Sequence, residues 1–371
     1  MKISLVGPFP PFRGGIANFN SSLADNLSKR HTVKKVSFTT QYPKFLFPGK
    51  SQFQSPESSN NNNRILSSIN PLTWKKSVKQ ILATEPDVVI FSYWMPFFAP
   101  SFAALARRIK SKSGAKILAL CNNIIPHEKR FLDNTLTKHF FKNVDYFMVM
   151  SKTVEADLRA LVSDPVYIIS PHPLYNRFGS ALRKEDARLQ LNIEEKNIIL
   201  FFGLIRAYKG LDILIKSTAS LKSQLKDFKV IVVGECYEDE DKYIEMVKSL
   251  AVQDVLDLRF GYADDSAVSK YFSAADLIVL PYKSATQSGV VPIAFNFNTP
   301  VVVTNVGGLP EIVPHGKAGY VVTPDPEAVA GAVIKYFKEN KYSEFSTFIE
   351  TYKERFSWQT FVENLESLIP K

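Results

Sequence analysis

The chain has 371 residues, 45% hydrophobic and 12% aromatic, with a formal net charge of +10. That length suits two domains of about 150–200 residues each, and the composition is that of a globular protein, not a disordered one. No run of about 18 apolar residues is present to span a membrane as a helix. The two cysteines, Cys121 and Cys236, can form neither a disulfide framework nor a four-thiolate metal site, as expected in a reducing compartment.

The apolar start, Met1 to Gly7, stops at Pro8 without a cleavage-site pattern, so the expectation is a mature cytoplasmic N-terminus. The charge is uneven. Residues 1–178 hold 24 Lys and Arg against 10 Asp and Glu; residues 179–371 hold 22 against 26. A basic half joined to a mildly acidic one attracts polyanions: phospholipid headgroups, nucleic acid or phosphorylated substrates.

In chain order, Lys2–Val6 is a predicted strand, followed by a Gly/Pro loop and a helix over Ile16–Leu27, where Ile16, Phe19, Leu23 and Leu27 fall at helical spacing. Val33–Phe38 is a second strand, and residues 51–64 read as a polar, Asn-rich loop. Asp87–Phe91, Lys116–Leu120 and Tyr146–Met150 are further strands, with a helical pattern at Ala103–Lys110 between them. Pro171, Pro173 and Gly179 punctuate a join near residues 170–183. Beyond it, strands are predicted at Asn197–Phe202, Lys229–Val233, Asp257–Phe260, Leu277–Leu280, Val301–Thr304 and Gly319–Val322. Helices separate them at Leu211–Leu221, Asp241–Leu250, Ala267–Phe272 and Pro326–Asn340. Alternation of this kind implies an α/β fold of two doubly wound, Rossmann-like parallel sheets with ligands at the carboxyl ends of the strands, in an interdomain cleft.

Four loops carry candidate chemistry. Gly14 and Gly15 follow the first strand and open the first helix, an arrangement that serves either an approaching anion or a tight turn. It matches neither the dinucleotide fingerprint nor the P-loop. Arg206 and Lys209, in the loop opened by Gly203, stand just ahead of a helix start, as a diphosphate requires. Ser284, Thr286, Gln287, Ser288 and Gly289 crowd a third loop. Gly307, Gly308, Leu309 and Glu311 form a fourth after the next strand, and both loops are expected to face Arg206 and Lys209. In the first half, Asn122, Asn123, His127 and Glu128 follow a strand. His127 reads as a general base, an acceptor or donor-sugar contact, or a structural histidine. His172 reads as part of the hinge. Glu238 to Asp241 reads as a solvated helix start and not as a metal site, and no zinc-type cluster is present.

These motifs resemble the glycosyltransferases of GT-B architecture, family 4 type, over nearly the whole chain. Pro11-Phe12-Arg13-Gly14-Gly15 is similar to that family's first Gly-rich loop. Phe202 to Arg206, with Lys209-Gly210, is similar to its donor-phosphate loop. Thr299-Pro300-Val301-Val302, Gly307 to Glu311 and Gly316 to Gly319 are similar to its C-terminal signature. Arg355 to Trp358 resembles the start of a last helix that crosses back to the first domain. The resemblance implies an acceptor-side domain over 1–175, a donor domain over 176–352 and a returning helix over 353–371. Two departures stand out. The glutamate pair usual around the helix before Thr299-Pro300 is absent, its positions falling on Thr286 or Gln287 and on Ile293 or Ala294. Asn122 replaces a usual histidine.

The resemblance implies transfer of a sugar from a nucleotide diphosphate donor to an acceptor hydroxyl with retention, in glycan, polysaccharide or glycolipid synthesis. Arg206 and Lys209 would neutralise the leaving phosphate, with His127 as the third catalytic candidate and without metal or other cofactor. The amides of Gly308 and Leu309 would add donors, and Glu311 would hold a sugar hydroxyl. The expected partners are a nucleotide-diphosphate sugar, a glycan or lipid-linked acceptor and an anionic membrane surface touched peripherally, with no nucleic acid. Phe45, Leu46, Phe47, Trp94, Phe97 and Phe98 are candidates for that contact, although Phe97 and Phe98 read equally as acceptor pocket or core. Alternatives are a sugar-nucleotide epimerase of the same fold, a non-catalytic nucleotide-sugar-binding homologue and, from charge alone, a nucleic-acid binder.

Overall fold

A computed structural model of the chain describes residues 1–43, 52–53, 63–126, 131–175 and 178–369. The chain forms two compact units, Met1–His172 with Trp358–Lys371, and Pro173–Ser357.

The first unit runs β1 (Lys2–Val6), α1 (Gly15–Leu27), β2 (Thr32–Thr40), β3 (Arg64–Ser67), α2 (Pro71–Leu82), β4 (Val88–Tyr93), α3 (Ala99–Lys110), β5 (Lys116–Cys121), α4 (Asp133–Phe141), β6 (Tyr146–Val149), α5 (Lys152–Leu161) and β7 (Tyr167–Ile169). All strands pair in parallel, in the order β3-β2-β1-β4-β5-β6-β7. Right-handed crossovers set α1 on one face and α2 to α5 on the other, so β4 is buried along its whole length. Phe38, Phe91, Phe98, Phe102 and Phe140 fill the space between the sheet and α3 and α4. Local chemistry agrees with this plan: Asn70 caps α2 by accepting from the Leu72 amide at 3.0 Å, with Pro71 next, and Ser151 caps α5.

Several sequence expectations change here. Trp94 and Phe98 are core residues, buried by the helix layer, and Phe97 stacks on Tyr42 at 5.8 Å; none is an exposed interfacial aromatic. Phe45, Leu46 and Phe47 lie outside the described residues. In the expected loop 51–64, Phe53 bridges to Phe12 with their rings 4.9 Å apart, and Arg64 already begins β3, its Nε donating to the Phe38 carbonyl at 2.9 Å.

The second unit runs α6 (Lys184–Leu191), β8 (Asn197–Phe202), α7 (Leu211–Gln224), β9 (Phe228–Gly234), α8 (Glu240–Ser249), β10 (Leu256–Phe260), α9 (Asp265–Ala274), β11 (Leu277–Leu280), α10 (Val290–Asn296), β12 (Val301–Thr304), α11 (Leu309–Ile312), β13 (Gly319–Val322), α12 (Pro326–Lys338) and α13 (Tyr342–Tyr352). Its parallel sheet has the order β10-β9-β8-β11-β12-β13. Asp276 ties α6 to the sheet: it accepts from the Ile198 amide at 2.6 Å and pairs with Lys184 and Arg188, both at 2.7 Å.

The chain leaves the first unit after His172, whose buried ring meets Phe19 at 5.0 Å, and re-enters it at Trp358. Residues 353–357 therefore belong to the second unit, where Lys353 donates to Asn298 Oδ1 at 2.7 Å. The last helix, α14 (Trp358–Ser367), packs on α1, with the Trp358 and Phe361 rings 5.4 and 5.6 Å from Phe19.

Candidate functional site

In the second sheet the strand order reverses between β8 and β11, the position where open α/β sheets bind ligands. The two loops that leave these strands interlock. The Lys283 amide donates to the Tyr208 carbonyl at 2.8 Å, and Gly210, at φ +70°, lies so close to Pro281 that a Cβ would sit 1.9 Å from its carbonyl oxygen. This places Lys209 directly against the second loop. Its Nζ donates to the fully buried Tyr282 Oη at 2.7 Å and lies 3.9 Å from that ring's centroid. Tyr282 Oη in turn is 3.4 Å from Ser288 Oγ. Burial lowers the Lys209 pKa; the Tyr208 hydroxyl opposes that shift, and the Arg206 charge adds to it. Burial also raises the Tyr282 phenol well above its ordinary value.

Arg206 lies over the Tyr237 ring at 5.0 Å. Nearby Lys283 is neutralised by Asp212 at 2.7 Å, whereas neither Arg206 nor Lys209 has a carboxylate partner among the described residues. Two cations close enough to act on each other, with no carboxylate against either among the described residues, are an arrangement that can receive an anion. The neighbouring acids are engaged elsewhere: Glu238 accepts from the Ala207 amide and, at 2.8 Å, from Tyr243, and Asp239 caps α8 by accepting from the Asp241 amide at 3.1 Å. Among the described residues no group of three or more His, Cys, Asp and Glu could hold a metal ion.

Ser288 and Thr286 are buried, Gln287 and Gly289 are half-buried, and all four stand in the β11 loop beside Lys209. Gly203 opens the β8 loop with φ +114°. The β12 loop locks onto the β11 loop: at Gly307, φ +52°, a Cβ would fall 1.4 Å from the Ala285 carbonyl oxygen. The expected free amides are not free. Gly308 N–H donates to Thr286 at 3.1 Å and Leu309 N–H to Val306 at 3.3 Å, while the Leu309 side chain is core. These two residues shape the loop instead of offering donors. Glu311 is exposed on α11. Ile293 and Ala294, at one of the missing glutamate positions, are buried in α10.

In the first unit the order reverses between β1 and β4. Gly14, at φ +105°, caps α1 with open space where a Cβ would be, and Gly15 is exposed beside it. Asn122 follows the adjacent β5, its Nδ2 donating to Ser92 Oγ at 3.2 Å. The Asn123 Oδ1 is buried, and no hydrogen-bond partner for it is found among the described residues. His127 and Glu128 lie outside the described residues. Tyr237 and Tyr282 had no sequence role as site groups; their positions just after β9 and β11 were the available signal, but an aromatic after a strand reads equally well as core, and Glu238 was read only as part of a solvated helix start.

Two parallel-sheet units, each with a Gly-bearing loop at its reversal point, have the two-domain plan of the GT-B fold. Residues 13–171 match the family model described as glycosyltransferase family 4, and residues 183–352 match that of glycosyl transferases group 1. The chain belongs to the GT-B glycosyltransferases of family 4 type. It is 27% identical over 289 residues to the Bacillus subtilis (strain 168) protein named as glycosyltransferase YtcC, an alignment covering 72% of this chain and 69% of that one. Sucrose-phosphate synthase from Thermosynechococcus elongatus shares the fold with a TM-score of 0.74 at 19% identity, over 99% of this chain and 98% of that one. Anabaena HepE in complex with UDP-glucose does so with a TM-score of 0.75 at 16% identity, over 99% of both chains.

Proposed function

We propose that this glycosyltransferase moves a sugar from a nucleoside diphosphate to the hydroxyl of a glycan or lipid-linked acceptor, with retention and without a metal. The observation that carries the reading is the uncompensated pair Arg206 and Lys209 at the strand-order reversal. As the bond from the anomeric carbon to the diphosphate breaks, charge grows on the leaving oxygen, and two fixed cations stabilise it. The acceptor oxygen bonds to the anomeric carbon on the same face, and its proton passes to the leaving phosphate. The engaged Glu238 and Asp239 carboxylates agree with a cation pair taking the part of a metal. The UDP-glucose complex of HepE, which has the same fold, makes uridine diphosphate the first nucleotide to test.

The test is a thermal-shift panel of UDP, GDP, ADP and TDP with their sugars, since a ligand of the folded state raises the midpoint by mass action. One nucleotide is expected to stand out. Its shift is expected to vanish in Arg206→Ala and Lys209→Ala, with a transition-state loss of about 2–4 kcal/mol in turnover. Undiminished shifts and turnover in both variants would refute the assignment.

A further inference from the structure

The excess positive charge of the first half is concentrated on one layer of helices. α2, α3 and α4 lie side by side on one face of the first sheet. Residues 71–82, 99–112 and 131–142 hold nine Lys and Arg and a single acid, Asp133. Lys75, Lys76, Lys79, Arg107, Lys112, Lys138 and Lys142 are exposed, and among the described residues none of them has a carboxylate partner; in this layer only Lys110 does, with Asp145 at 2.6 Å. On α2, Leu72, Lys75, Lys76 and Lys79 form one stripe at helical spacing. The opposite face is different in kind: there Arg30 pairs with Glu363 and Glu366, and Lys35 with Asp25. Beyond α4 the layer also changes, because α5 carries Glu155 and Asp157.

The second observation is apolar. Each of α2, α3 and α4 follows a parallel strand, so all three begin at the carboxyl edge of the sheet. At that end Ile69 and Leu72 of the α2 start are 53% and 78% exposed, and Phe131 and Leu132 of the α4 start are 99% and 56% exposed. Four large apolar side chains in water at one end of a basic surface are unusual for a face that meets only solvent.

We infer that the outer face of α2, α3 and α4 is a docking surface for an anionic lipid bilayer, with the lysines and arginines against headgroups and Ile69, Leu72, Phe131 and Leu132 entering the interface. Charge complementarity identifies the partner as a polyanion. The apolar end separates a bilayer from a nucleic acid, which offers phosphates but no hydrocarbon. Docking in this way brings the carboxyl edge that bears Gly14, Gly15, Asn122 and Asn123 toward the headgroup layer, where a lipid-linked acceptor would be found. The acceptor consequence rests on the proposed function; the docking surface does not.

The experiment is co-sedimentation of the full chain with phosphatidylcholine vesicles, with and without phosphatidylglycerol, at low and high salt. Binding is expected only to anionic vesicles, with loss at high salt. Lys75→Glu with Lys76→Glu and Lys79→Glu is expected to lower it roughly tenfold or more. Phe131→Ser with Leu132→Ser is expected to weaken it and leave the remainder fully salt-sensitive. The unfolding midpoint and the nucleotide-induced shift of each variant serve as fold controls, and Lys→Gln replacements provide a milder series at the same positions. Absence of anionic-vesicle binding at low salt, or binding unchanged in the folded charge variants, overturns the inference. Tighter binding to a random oligonucleotide, with the Phe131 and Leu132 changes having no effect on vesicles, overturns it in favour of a nucleic acid. Nucleotide shifts report separately on the donor site, so failure of one reading is not failure of the other.

Discussion

On the proposed function, Lys209 is the residue on which donor binding would turn, and Tyr282 is what holds it. Burial lowers the lysine's pKa from its ordinary 10.5. A bound diphosphate favours the charged form, so nucleotide affinity is expected to fall as pH rises through that lowered value, ahead of an ordinary lysine. Calorimetric titration of UDP across the alkaline range reads this limb, and an affinity that stays flat through it would remove the role given to the Lys209 charge. Tyr282→Phe keeps the ring and removes the acceptor. Loss of a charge-assisted bond of about 1.5 kcal/mol should lower kcat roughly tenfold, and the alkaline limb should move to lower pH because the ammonium loses a partner. A drop in kcat without movement of that limb would mark Tyr282 as packing alone. At the same scale, Asp239 is occupied as the cap of α8 and Glu238 by Ala207 and Tyr243. Turnover is accordingly expected to survive EDTA; loss restored by magnesium or manganese would return the acidic cluster to the chemistry. Arg206 and Lys209 were legible in the chain as candidates because both stand between a strand and a helix. Tyr282 was not, since its role depends on a loop from another strand meeting Lys209.

At the level of elements, β1, β8, β11, β12 and β13 have the bounds that their apolar runs predict, whereas β4, buried along its whole length, runs on past Phe91 through Ser92 to Tyr93. β3 was hidden by the polar stretch before it and by Arg64 at its start, which bonds to the neighbouring strand's carbonyl instead of facing water. The expected amide donors of Gly308 and Leu309 failed for a related reason: their backbone groups were satisfied by loop partners that no local pattern specifies. Asp276 belongs to this scale, as it joins α6, β8 and β11 through one largely buried carboxylate. Asp276→Ala takes the counter-charge from Lys184 and Arg188 and the acceptor from the Ile198 amide, and is expected to cost about 3 kcal/mol. Urea unfolding of the variant measures this, and a loss below a few tenths would show the cluster to be incidental.

Over the whole molecule, the chain visits its first unit twice. The last helix closes α1 with Trp358 and Phe361 on Phe19, although the residues just before it belong to the second unit. Truncation after Ser357 is expected to destabilise the first unit by at least about 3–5 kcal/mol, the usual effect of deleting a large buried aromatic. The second unit should keep its nucleotide-dependent stabilisation. Hydrogen exchange read separately over residues 1–172 and 173–357 checks this, and unchanged protection in the first span would remove the structural role of α14. Strand and helix alternation, the charge split and the loop chemistry are local properties, so they follow from the order of residues alone. Strand order, the reversal points between β1 and β4 and between β8 and β11, the helix layer that gathers the lysines, and the tether from Lys209 to Tyr282 join residues tens to hundreds of positions apart. They depend on which apolar faces bury each other, and only the folded chain resolves that competition.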